Sequence, residues 1–188
     1  RQSLVTMVSD MYPKCRIIVS NATQIITDAL RKTNGTVCVI GGDGMASFVG
    51  DLLVDTQRPM LLLRAGTSNL LAGVLGIPEA ETMLEHYANN KCHAHAIDVM
   101  ATNRRHFLMN ISMGVTSRTM KHVDTVGKRV LGSAIYYMHA LWEILKGQRI
   151  IFDITIDGKK RQYKGVELFI NNFGIEKRFP IQSKARSD

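Results

Sequence analysis

The chain has 188 residues, 45% of them hydrophobic, with a formal net charge of +8. That length and apolar content suit one substantial domain or two small ones. No run of about 18 apolar residues is present, so no segment reads as a membrane-spanning helix, and the first stretch lacks the charged, apolar, small-residue order of a signal peptide. Cys15, Cys38 and Cys92 are scattered and odd in number, which reads as free thiols and not as a disulfide framework. The basic residues come in small groups (Arg104-Arg105, Lys128-Arg129, Lys159-Lys160-Arg161, Lys177-Arg178). Such a surface attracts nucleotides or anionic headgroups. Without aromatic interleaving or zinc-ligand spacing it does not indicate nucleic acid.

In chain order, Leu4, Val5, Val8 and Met11 or Tyr12 recur at helical spacing up to Pro13. Cys15–Ser20 reads as a strand. Asn21, with Gln24 three residues on, predicts an N-cap for a helix from about Ala22 to Lys32. Asn34-Gly35 ends it. Thr36-Val37-Cys38-Val39-Ile40 then runs straight into Gly41-Gly42-Asp43-Gly44. A continuous apolar run stopped by glycine reads as a strand buried on both faces. The glycines let backbone approach a ligand, and a helix starting directly afterwards aims its N-terminal N–H groups into the same space, which suits a phosphate chain. Asp43 is suited to cation binding, or to fixing a loop or sugar hydroxyl by hydrogen bonds.

A helix over about Met45–Val54 precedes a second buried strand, Met60–Leu63, and the turn Arg64-Ala65-Gly66-Thr67-Ser68-Asn69. The alternation predicts an α/β fold with a parallel sheet. Ser20, the GGDG turn and the GTSN turn would all lie at carboxyl strand ends, where such sheets bind ligands. A helix over Glu79–Asn89 closes this half, and a domain boundary is placed near Lys91, giving domains 1–91 and 92–188. His93, His95, Ile97 and Val99 then alternate as in a strand, and a hairpin is expected from Ile97 to Met113. His93 and His95 share a face, with no third metal ligand at a diagnostic interval. Helices are expected at Thr116–Val123 and from Gly132 to Lys146. Ile150–Ile156, the turn Asp157-Gly158, Arg161–Lys164 and Val166–Asn171 read as antiparallel strands. The second half is therefore mainly antiparallel β with helical insertions.

The paired signatures GGDG from Gly41 and GTSN from Gly66, the latter followed by Leu70–Ala72 and Leu75-Gly76-Ile77-Pro78, resemble the diacylglycerol kinase catalytic family, which includes sphingosine kinases and bacterial lipid kinases. The resemblance extends over most of the chain. It implies a nucleotide-binding α/β domain followed by a β-sandwich domain, both incomplete here: the family's first strand with its Asn-Pro-x-Ser-Gly turn, and its final strands, are missing. It implies transfer of the γ-phosphoryl group of ATP, with Mg2+, to the hydroxyl of diacylglycerol or a related lipid. The expected place is cytoplasmic, peripheral at the inner membrane surface. By position Ser20, Gly41, Gly42, Asp43, Gly44, Met45, Gly66, Thr67 and Asn69 would contact the nucleotide, and Asp43 and Asp188 would be catalytic, Asp188 either as general base or as the acid just before it. Met45 and Phe48 stand where members typically carry Thr and an acid, with Met45 still offering its backbone N–H. Two alternatives stay open: a degenerate nucleotide- or lipid-binding regulatory module, and NAD kinase, which shares the GGDG loop.

Overall fold

The computed structural model describes residues 2–114 and 149–173. The expected helices at Thr116–Val123 and Gly132–Lys146 lie outside these residues, as does Asp188. The described elements are α1 (Gln2–Met11), α2 (Thr23–Arg31), β1 (Val37–Gly41), α3 (Asp43–Leu53), β2 (Met60–Arg64), α4 (Leu70–Val74) and α5 (Ala80–Ala88), then β3 (Met100–Ala101), β4 (His106–Phe107), β5 (Asn110–Gly114), β6 (Ile150–Ile156), β7 (Lys159–Gly165) and β8 (Glu167–Asn171). They form two compact units. Of the described residues, 2–109 and 172–173 belong to one, and 110–114 and 149–171 to the other.

The first unit is built on β1 and β2, paired in parallel from Val37 opposite Met60 to Gly41 opposite Arg64. Both strands are apolar on both faces, as a parallel pair covered by helices requires. On one face Val39 and Leu62 pack with Ala46, Val49 and Leu53 of α3 and Leu71 and Ala72 of α4, joined by Ile26 and Leu30 of α2. On the other, Leu61, Leu63 and Ile40 pack with Leu4 and Val8 of α1 and Ala80 and Leu84 of α5. Leu4 and Val8 are one helical turn apart, so α1 presents a single apolar stripe. Tyr12 and Tyr87 close that face edge to face, with ring centroids 6.0 Å apart.

Arg58 locks the approach to β2. Its Nη1 donates to the carbonyl of Leu30 at 2.9 Å and its Nε to that of Gly35 at 3.1 Å. A cation thus meets carbonyls at the carboxyl end of α2, where the helix dipole is negative. No periodicity argument would single out this residue.

Three expectations fail. Cys15–Ser20 is not a strand: it pairs with no strand among the described residues, and Val19 is 82% exposed. A strand needs a neighbour to receive its backbone groups, and a groove separates this stretch from β1. Asn21 is not the N-cap of α2; Ala22 occupies that position with no side-chain cap, and Gln24 bonds Asp28 instead. The hairpin from Ile97 to Met113 shrinks to Met100–Ala101 against His106–Phe107. Leu108 and Met109 leave the strand path because they are buried in the core, 3% and 8% exposed. Asn172 secures this departure, its Nδ2 donating to the carbonyls of Leu108 and Asp98.

In the second unit β5 pairs antiparallel with β8, and β6 with β7 through Asp157-Gly158, both at positive φ. That is the two-residue turn a right-twisted hairpin prefers.

Leu63 is fully buried. Leu63→Ala is expected to destabilise the protein by about 2–5 kcal/mol, read as a lower denaturant midpoint. Desolvation against the neighbouring strand and helices, with the Cys15 thiol second, pushes the Cys38 thiol up to about 11 from its ordinary 9.0, although the residue as a whole stays exposed, so the effect on stability is small. The folded chain therefore holds this proton where the unfolded chain loses it. Stability linked to Cys38 is complete below about pH 9 and lost as pH rises towards 11. Cys38→Ala is expected to flatten the fall of thermal midpoint across that window.

Candidate functional site

The site begins where β1 ends. Gly42 takes extended backbone, φ −102° and ψ −171°, and serves as the N-cap residue of α3. Its carbonyl accepts the first helical bonds, from Met45 N at 3.1 Å and Ala46 N at 3.0 Å. The earlier amides of a helix have no intrahelical acceptor, so those of Asp43 and Gly44 are left for another partner. They sit at the positive end of an 11-residue helix. The Met45 amide, expected to serve a ligand, is engaged with Gly42 instead.

The second turn follows β2. Asn69 adopts left-handed backbone at φ 47° and N-caps α4. Its side chain closes the turn on itself: Oδ1 accepts from Gly66 N and Nδ2 donates to Gly66 O, both at 2.8 Å. Asn is among the few residues that tolerate this conformation and carry both hydrogen-bonding senses. Asn69 is therefore a buttress of the turn and is not among the residues facing the groove.

The two turns meet backbone to backbone. A Cβ on Gly42 would lie 2.9 Å from the Gly66 Cα, and a Cβ on Gly66 would run into the Gly42 Cα and come within 2.8 Å of Asn69 Oδ1. Glycine at both positions is a packing requirement. Asp43 adds a second tie, its Oδ1 accepting from Leu71 N at 2.9 Å. One carboxylate thus links the start of α3 to the start of α4. Of the roles its chemistry permits, loop fixing is the one realised.

Ser20, Gly41, Gly42, Asp43, Gly44, Met45, Gly66 and Thr67 all face one groove of about 900 Å³. Ser20 reaches it from a loop and not from a strand end, and its Oγ accepts from Ala22 N at 3.0 Å. Met45 and Phe48 pack against the apolar cluster under α3. Arg64, at the end of β2, was not singled out by sequence. Its Nη1 pairs with Glu79 at 2.9 Å and donates to the Ile77 carbonyl at 3.3 Å, which holds the Leu75–Pro78 loop beside the site. A cation at the end of a strand that leads into a glycine turn was the available signal. Among the described residues no three His, Cys, Asp or Glu side chains could hold a metal together, and His93 and His95 gain no third ligand.

Three variants test the joint. Gly66→Ala is expected to lower stability by about 1–3 kcal/mol, because its Cβ meets backbone that cannot step aside. Asp43→Ala should cost about 0.5–2 kcal/mol by leaving the Leu71 amide uncapped, whereas Asp43→Asn keeps an acceptor and most of that stability. Chemical denaturation of the three proteins checks both orderings.

The comparisons agree with this geometry. Residues 12–102 match the family model described as the diacylglycerol kinase catalytic domain. A Yersinia enterocolitica protein named "Probable lipid kinase YegS-like" is 30% identical over 132 residues, 64% of this chain and 42% of that protein. A Pectobacterium atrosepticum protein of the same name is 30% identical over 139 residues, 69% of this chain and 45% of that one. The match thus spans less than half the length of these relatives. A crystal structure of a candidate diacylglycerol kinase from Bacillus anthracis str. Sterne superposes with a TM-score of 0.69 at 22% identity, covering 92% of this chain and 60% of that one. The mixed α/β architecture, with a small parallel sheet and antiparallel strands, is consistent with that fold. Over residues 12–102 the chain is similar to the diacylglycerol kinase catalytic domain family.

Proposed function

We propose that this chain carries the nucleotide-binding part of an ATP-dependent lipid kinase that transfers the γ-phosphoryl group to a lipid hydroxyl, with diacylglycerol or a related lipid as acceptor. One observation carries the reading: two glycine turns, at the carboxyl ends of adjacent parallel strands, touch through their backbones and open onto one groove. Phosphoryl transfer asks the protein mainly to position the donor and to stabilise charge. The free amides at the start of α3 and the closely approachable backbone at Gly42 and Gly66 suit a triphosphate. Thr67, exposed on the second turn, is placed to offer a hydroxyl.

The residues present fit Mg2+ as a passenger of the nucleotide. Mg2+ is ordinarily held by one or two carboxylates together with substrate phosphates and water, and Asp43, with one oxygen already on Leu71, has a second to give. When bound, the ion shields phosphate charge. The proton acceptor that the resemblance assigns to Asp188, or to the acid after it, belongs to residues outside those described.

In this reading the lipid is reached at a bilayer surface by a peripheral protein, since no described helix is long and apolar enough to cross a membrane. The two-domain organisation, α/β followed by β-sandwich, is part of the same proposal. A second reading has its own support. Met45 and Phe48 turn into the core where the resemblance expects a hydroxyl and an acid, which favours a module that binds nucleotide or lipid without turnover.

The test is incubation of the full-length protein with labelled ATP, Mg2+ and mixed lipid vesicles. Label should enter a lipid, and Asp43→Asn should lower the rate by about 100-fold with the fold intact. ATP binding with no labelled lipid across a broad panel would establish the second reading, and labelled NAD phosphate would replace both.

A further inference from the structure

The hairpin of β6 and β7 carries charge at its end that the glycine turns do not use. Its strands pair down to Ile156 opposite Lys159, with Thr155 opposite Lys160 and Ile154 opposite Arg161 as the next two rungs. Asp157 and Gly158, both at positive φ, turn the chain. Every residue from 155 to 164 is exposed, Ile156 by 62%. A turn closes the end of a ladder and not its face, so this tip stays at the surface even where another element covers the sheet.

Strand alternation sorts the side chains of the tip. Lys159, Arg161 and Tyr163 share one face with Ile154 and Ile156, and with Asp157 these residues line a depression of about 260 Å³. Lys160 belongs to the other face. Residues 150–165 hold four cations against two acids, and one of those acids, Asp153, already accepts from Gln162 Nε2 at 3.0 Å. Among the described residues no ion pair engages Lys159, Lys160 or Arg161. Three consecutive like charges repel one another, and the isoleucine beside them keeps most of its surface in water. Both features cost free energy in a tip that meets only solvent.

Together they select a partner. A soluble anion would neutralise the cations and leave Ile156 wet. An anionic bilayer offers phosphate charge at its surface and hydrocarbon just beneath. Lys and Arg reach such phosphates while their stems lie along apolar ground, and a tyrosine ring suits the headgroup level. We propose that the β6–β7 tip is a membrane-docking element: Lys159, Lys160 and Arg161 engage the phosphates of anionic phospholipids, and Ile156 enters the boundary between headgroups and acyl chains. Its purpose rests on the lipid-kinase reading, which it deepens; docking itself requires neither nucleotide nor turnover.

Sedimentation of the full-length protein with vesicles tests the proposal. Binding is expected on phosphatidylcholine vesicles containing about 30% phosphatidylglycerol, should be weak on phosphatidylcholine alone, and should fall as salt is added. At about 5-fold for each cation near the surface, Lys159→Gln/Lys160→Gln/Arg161→Gln should lower partitioning by about 100-fold. Ile156→Ser should lower it by about 10-fold. Lys91→Gln/Arg104→Gln/Arg105→Gln removes the same charge from exposed positions elsewhere and should change it by less than about 3-fold. All these side chains are exposed, so the thermal midpoints should stay together. Equal losses in the two triple variants would reduce the binding to net charge, and an Ile156→Ser variant that binds as before would show that nothing enters the bilayer. Equal binding to neutral vesicles, or none to either kind, would remove the element. Polyglutamate held as tightly as the anionic vesicles, through the same three cations, would assign the tip to an acidic protein surface. Each of these results overturns the proposal. Docking with no labelled lipid would sink the kinase reading and keep the docking element, whereas label entering detergent-dispersed diacylglycerol with no vesicle binding would do the reverse.

Discussion

The contact between the Gly42 and Gly66 backbones is the constraint on which the first unit turns. Two parallel strands end side by side, and the chain must leave each of them for a helix within a few residues. Side chains at those positions would hold the two exits apart. Without them, the start of α3 and the start of α4 come close enough for one carboxylate, Asp43, to accept from the far helix. Asn69 then closes the second turn on itself. Backbone contact, carboxylate tie and amide clasp hold one arrangement, and the groove is what remains beside it.

Rigidity and chemistry are separable here. The groups that hold the joint, Asp43 Oδ1, the Asn69 amide and the Met45 N–H, are occupied in doing so. What is left to meet a ligand is mostly backbone, with the Thr67 hydroxyl and the second oxygen of Asp43. A site made of backbone donors recognises charge and shape, and phosphate has both. It says little about the acceptor, whose selection in this family-level reading falls to parts of the protein beyond this joint.

The open edge of β1 and the exposure of Ile17–Val19 are one fact seen from two sides. Both surfaces are apolar and face each other across a groove, with helices covering it from either face of the sheet. A strand is a cooperative object: it forms when its backbone groups have somewhere to go. Cys15–Ser20 has the composition of a strand and has no strand partner among the described residues. The same reasoning explains Leu108 and Met109, which leave a ladder because the core offers more apolar contact than the hairpin does.

Local chemistry alone determined a good deal. Apolar runs halted by glycine located β1, β2 and the two turns to within a residue or so, because a doubly covered strand and a close backbone approach each leave a compositional mark. The Asp157-Gly158 hairpin was readable for the same reason. Only tertiary structure decided where hydrogen bonds go between segments distant in sequence. It sent Asp43 to Leu71 and not outward, set Arg58 on the end of α2 and Arg64 on the Ile77 carbonyl. It also turned the Met45 amide inward and left Cys15–Ser20 unpaired. Each outcome depends on what the fold brings within 3 Å or so of a polar group, and a linear pattern of residue types does not contain that distance.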